Sequence, residues 1–110
     1  MQVKRNHYFL QEVTSATASE IITNATSETL TIQVEGTATS FSFQLLGCSD
    51  FYSEDFYALT GFTTAFDPIA TITAKGIYTF GIEGISKLKV NLTAVSGGSV
   101  TVFGKMTQGV

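Results

Sequence analysis

Apolar and polar residues alternate one for one along much of this chain. Leu30, Ile32 and Val34 are interleaved with Thr31, Gln33 and Glu35, and Phe41, Phe43 and Leu45 with Ser42 and Gln44. Leu88, Val90, Leu92 and Ala94 alternate with Lys87, Lys89, Asn91 and Thr93, and Val100 and Val102 with Ser99 and Thr101. A period of two puts one set of side chains on each face of a strand, so each run predicts an antiparallel strand with one dry and one wet side. Turn signals separate the runs: Glu35-Gly36, Gly47, Lys75-Gly76 and Glu83-Gly84. Ser96-Gly97-Gly98-Ser99 reads as a hairpin, which makes the last two strands antiparallel neighbours.

The first third is less regular. Tyr8 to Val13 and Ile21 to Thr23 read as short strands around a small, polar loop, Thr14 to Ser19. Pro68 favours an extended approach to a strand over Ile69 to Thr73. Apolar residues nowhere recur at helical spacing for three turns, so the only helix expected is a single turn near Ser53 to Phe56. Eight or nine short strands with closely spaced turns predict an all-β fold, an antiparallel sandwich of jelly-roll-like topology rather than a barrel. Residues 1–110 form one domain, with no internal repeat or linker. Residues 1–28 supply either edge strands or a less ordered arm.

Composition narrows the function. The chain has 110 residues, 44% of them hydrophobic, which is enough for one self-sufficient core. Only 14% are charged, against about 25% in an ordinary domain. Serine and threonine supply the polar surface instead, and hydroxyls cost less to desolvate than ions. The net charge of -3 argues against nucleic acid, because Lys4 and Arg5 are too few to track phosphates. The single cysteine, Cys48, excludes an internal disulfide and a cysteine zinc cage, and is expected to be a small buried residue. The start of the chain lacks the apolar core of a signal peptide, and no run reaches the length of a membrane helix. Cytoplasmic synthesis and no membrane partner are the expectations. Asn24-Ala25-Thr26 and Asn91-Leu92-Thr93 match the glycosylation pattern, as chance allows in a threonine-rich chain.

Catalytic candidates are scarce. His7 is the only histidine and stands apart from any partner at triad spacing. Gly81-Ile82-Glu83-Gly84 is strand and turn, not a dinucleotide fingerprint. No catalytic, cofactor or metal site is expected. The most unusual stretch is Ser49 to Tyr57, which holds Asp50, Glu54 and Asp55 among Phe51, Tyr52, Phe56 and Tyr57. Three readings compete. The carboxylates could hold calcium, although the spacing matches no EF-hand. The rings could recognise a sugar or a protein, which makes Asp50, Tyr52, Glu54, Asp55 and Tyr57 the candidate ligand loop. Alternatively Phe51, Phe56 and Tyr57 cap the core and the carboxylates keep the loop soluble.

Phe62 and Phe66 fall in a second apolar loop, with core burial as the first expectation and an intersubunit contact as the second. Phe103 lies at opposite parity to Val100 and Val102 and should point away from the core. Phe62, Phe66 and Phe103 are therefore the candidate interface residues. Lys87 and Lys89 read as solvated edge charges that discourage aggregation.

The stretch from Thr29 onward resembles small β-sandwich virion proteins of tailed bacteriophages, of the head-fibre, capsid-decoration and tail-accessory kinds. The likeness rests on Leu30-Thr31-Ile32-Gln33-Val34-Glu35-Gly36-Thr37, on Ile72-Thr73-Ala74-Lys75-Gly76-Ile77-Tyr78-Thr79-Phe80, and on the segment from Leu88 to Val102. Such proteins often carry Asp-Gly and Trp before the strand placed here at Phe56 to Leu59. Tyr57-Ala58-Leu59 stands there instead. The resemblance implies a non-enzymatic virion protein that self-associates, with a trimer as first expectation, and docks on a capsid, neck or tail component. It would be assembled in the bacterial host cytoplasm. The alternative is a carbohydrate-binding or receptor-binding domain that uses residues 50–57.

Overall fold

The alternating runs become the long strands of two facing sheets. The computed structural model describes residues 6–24 and 26–107, which hold twelve strands and no helix. In chain order these are β1 (Asn6–Val13), β2 (Thr17–Ala18), β3 (Ile22–Thr23), β4 (Thr29–Gly36), β5 (Ser40–Cys48), β6 (Tyr57–Ala58), β7 (Gly61–Thr63), β8 (Pro68–Ile69), β9 (Thr71–Ile72), β10 (Gly76–Gly81), β11 (Lys87–Ser96) and β12 (Val100–Thr107). The first sheet has the order β1-β12-β4-β10-β7-β8. The second has the order β2-β11-β5-β6, with β3 also paired to β11 and β9 to β5. All pairings are antiparallel, as expected of the sandwich.

The strand count exceeds the expected eight or nine because β2, β3, β6, β8 and β9 are two residues long, too short for alternation to reveal. The turn of helix expected near Ser53 is absent, and Ser53 N–H instead bonds back to the Asp50 carbonyl at 3.2 Å. The run expected over Ile69 to Thr73 is split, with β8 in the first sheet and β9 in the second. Within residues 1–28, β1 borders the first sheet, and β2 and β3 flank β11. Lys4 and Arg5 lie outside the described residues.

Leu30, Ile32, Phe43, Leu45, Phe80, Leu88, Val90 and Val102 meet between the sheets with essentially no exposure. Phe43 stacks on Phe41 with ring centroids 6.2 Å apart. Two register shifts alter the simple alternation. In β1 a shift between Tyr8 and Leu10 turns two successive residues, Phe9 and Leu10, inward and leaves Tyr8 outside. In β11 a shift between Leu92 and Ala94 exposes Ala94, which alternation had assigned to the core, and packs Val95 there instead.

The Ser96–Ser99 turn is not a hairpin. β11 belongs to the second sheet and β12 to the first, so the turn is an arch that carries the chain across the core. Residues 36–40 make a second arch, from β4 to β5, directly beside it. Thr37 N–H and Ala38 N–H both bond to the Ser99 carbonyl, at 2.9 and 3.0 Å, and Thr39 N–H bonds to the Ser96 carbonyl at 3.0 Å. The arches touch so closely that a Cβ at Gly97 would fall on the Thr39 side chain, at a φ of +76°. Glycine is there for contact between arches as well as for the bend.

Candidate functional site

The structure sorts the candidate residues into two surfaces. One is the outer face of the first sheet. Registers place Tyr8 opposite Phe103, Phe103 opposite Gln33, and Gln33 opposite Ile77. Neighbouring strands sit about 4.8 Å apart, so these four side chains form a continuous row across β1, β12, β4 and β10. The adjacent row is Lys105, Thr31, Thr79 and Phe62. Tyr8 and Phe103 hold ring centroids 5.3 Å apart. A groove of about 190 Å³ runs over Thr31 and Gln33, between Phe103 and Ile77.

Phe103 therefore points outward, as its parity requires, and remains half-buried. The expected core burial of Phe62 and Phe66 is overturned: they are 47% and 84% exposed. The reason is local. Phe62 lies on β7 beside Gly61, and Gly61 is the residue turned inward, where a Cβ would come within 2.7 Å of the Phe80 ring. Phe66 occupies the turn between β7 and β8 with φ of +66° and has no strand partner among the described residues. The sequence reading missed Tyr8 and Ile77. Ile77 had the same signal as Phe103, opposite parity to the buried Tyr78 and Phe80. Tyr8 did not, because the β1 register shift hides its parity.

The second surface is the loop of residues 49–57 at the end of the sandwich. Of the three rings that one reading placed over the core, Phe51 and Tyr57 are 57% and 71% exposed, and the neighbouring Tyr52 is 90% exposed. Phe51 and Tyr52 contact each other edge to face, at 5.6 Å. Phe56 alone folds back. It lies beneath two ammonium groups, Lys89 Nζ at 4.3 Å and Lys87 Nζ at 5.4 Å from the ring centroid. Lys87 also donates to the Ser53 carbonyl. These lysines are thus half-buried anchors on the inner strand β11, not the solvated edge charges expected. Cys48 is buried as expected, and its thiol donates to the Asp50 carbonyl at 3.1 Å.

Asp50 Oδ1 accepts from Tyr52 N–H at 2.9 Å, and Ser53 Oγ accepts from Asp55 N–H at 3.1 Å. A cleft of about 320 Å³ opens beside the loop, lined by Gly47, Cys48, Ser49, Asp50, Ser53, Asp55, Tyr57, Leu59 and Ile85. Of the predicted ligand residues it gathers Asp50, Asp55 and Tyr57, and leaves Tyr52 and Glu54 outside. Among the described residues no three carboxylate, histidine or cysteine groups converge as a metal site would need, so the calcium reading gains no support. His7 lies on β1 opposite Gly104.

Asn24 has a structural role that the glycosylation pattern obscured. Its amide donates to the carbonyls of Ser27, Ile82 and Ile85, at 3.0, 3.3 and 2.9 Å, and its oxygen accepts from Ser27 N–H at 2.9 Å. The nitrogen a glycan would need is engaged in holding two loops together. Among the described residues no helix is long and apolar enough to cross a membrane.

A sequence model of the XepA family matches residues 4–106. Two solved structures share the fold. The SPBc2 prophage-derived protein YomS superposes with a TM-score of 0.88 at 24% identity, covering 98% of this chain and 96% of that one. The PBSX exported protein XepA superposes with a TM-score of 0.91 at 18% identity, and the match covers 97% of this chain but 38% of that one. No curated protein sequence matches the chain.

Proposed function

The chain belongs to the XepA family, and on that premise we propose that it is a non-enzymatic structural protein of phage origin that works by docking. The surface it docks with is the outer face of the first sheet, against further copies of itself and against other components of the particle. The observation that carries this reading is the row of Tyr8, Phe103 and Ile77, with Phe62 in the adjacent row. Tyr8, Ile77 and Phe62 are each close to half exposed on a sheet that is already fully backed by core. Folding gains nothing from exposing them, whereas association gains from covering them. The low content of charged residues points the same way, because charge is depleted at interface cores.

Phage origin is supported by YomS, which is described as prophage-derived, and a role in the particle by the likeness of the strand pattern to virion proteins. XepA of PBSX is described as an exported protein, which sets export from the host against incorporation in a virion. Fractionation of a lysogen after induction, into particles, cytoplasm and medium, separates the two.

The test of docking is the solution mass from light scattering at low micromolar concentration. A closed homo-oligomer is expected, reduced to monomer by Ile77→Lys, which leaves the core untouched. A wild-type monomer at all concentrations would overturn self-association.

A further inference from the structure

We propose that the cleft beside residues 49–57 binds an uncharged, N-acetylated sugar. This inference stands apart from docking, which uses the opposite sheet. At about 320 Å³ the cleft reaches the range of small-molecule sites, roughly 300–1,000 Å³, which the groove beside Phe103 does not. Its lining combines three chemistries that a sugar uses together. Leu59 and Ile85 supply an apolar patch for an acetamido methyl group. Asp50 and Asp55 supply acceptors for hydroxyl and amide hydrogens, and among the described residues nothing bonds to the Asp55 carboxylate. Tyr57, 71% exposed on the short edge strand β6, supplies a ring against which the C–H face of a pyranose can lie.

The charge selects the ligand class. Asp50 and Asp55 repel phosphates and carboxylates, while Lys87 and Lys89 are turned onto Phe56. The wall is also held in place before any ligand arrives. Ser86 Oγ donates to the Ser49 carbonyl at 3.0 Å, Ser86 N–H to the Cys48 carbonyl at 2.8 Å, and Lys87 to the Ser53 carbonyl. Little ordering entropy is left for binding to cost.

The experiment is an amide chemical-shift titration of the full chain with tri-N-acetylchitotriose, alongside maltotriose and phosphatidylglycerol vesicles. Saturable shifts at Ser49, Asp50, Asp55, Tyr57 and Ile85 with the acetylated sugar are expected. Binding should weaken about tenfold in Tyr57→Ala and in Asp55→Asn, about 1.4 kcal/mol each. Asp55→Asn keeps the side-chain shape at an exposed position, so it reads binding even if the tyrosine change disturbs β6. No shifts at millimolar sugar, shifts confined to another surface, equal binding of maltotriose, or vesicle binding without sugar binding would each overturn the assignment.

Discussion

The contact between the two arches makes a sharp prediction at Gly36. Its φ is +135°, a region that side-chain-bearing residues rarely occupy. A Cβ built there would lie well inside the 3.0 Å that real Cβ atoms keep, against the Ser99 carbonyl oxygen, and 3.1 Å from Val100 Cα. All of these obstacles are backbone, so no rotamer change relieves them. Gly36→Ala must therefore separate the arches or move the backbone. The backbone conformation costs about 1–3 kcal/mol. Overpacking adds about 1–3 kcal/mol. The two bonds from Thr37 N–H and Ala38 N–H to Ser99 O are strained or lost, at about 1 kcal/mol each. Reduced freedom of the unfolded chain returns about 0.4–1 kcal/mol. A net loss of about 3–7 kcal/mol is expected, a large share of the roughly 5–15 kcal/mol that holds a domain together. Gly81 is the control: a Cβ there meets nothing within 4 Å. Urea unfolding should place Gly81→Ala within about 0.5 kcal/mol of the wild type. The melting temperature of Gly36→Ala should fall by more than about 10 °C. If the two alanine variants were equally stable, the close approach of the arches would be refuted.

Two further outcomes are expected. Burial raises the Tyr78 phenol above its ordinary pKa of 10.0, and its hydroxyl donates to the Ala74 carbonyl at 2.6 Å. The folded state thus favours the protonated form, so this contribution is complete below about pH 10 and is lost as pH rises through the raised folded value. Tyr78→Phe should cost about 1 kcal/mol at neutral pH, and urea midpoints should show that gap narrowing above pH 10, a constant gap counting against it. Asn24→Ala removes the donors to the Ile82 and Ile85 carbonyls and should cost about 1–3 kcal/mol, with faster amide exchange in residues 82–86; unchanged exchange there would show that the staple is not needed.

Much of the sandwich was legible because burial imposes a period of two on any strand with one wet face. Leu30, Ile32 and Val34, Phe41, Phe43 and Leu45, and Leu88, Val90 and Leu92 are core residues both by alternation and by exposure. Phe103 was legible as an outward residue for the same reason, and Ile77 could have been. What alternation does not carry is the destination of each strand. Ser96-Gly97-Gly98-Ser99 supplies the positive φ of a tight turn, but a hairpin and an arch make the same local demand. Only the neighbouring arch, with Thr37 and Thr39 against the two glycines, decides that β11 and β12 part into opposite sheets.

Residues 49–57 show the same division. Composition marked the loop as unusual, since rings and carboxylates rarely crowd together without a reason. Which ring folds back was decided by Lys87 and Lys89, which lie thirty or more positions along the chain and reach Phe56 only once β11 has paired with β5. The sequence by itself determined an all-β chain with a dry face and a hydroxyl-rich face on each long strand. Tertiary structure alone decided which strands face each other, which rings stay outside, and where Asp50, Asp55 and Tyr57 meet. Those outcomes depend on contacts between segments far apart in the chain, and no local pattern encodes such contacts.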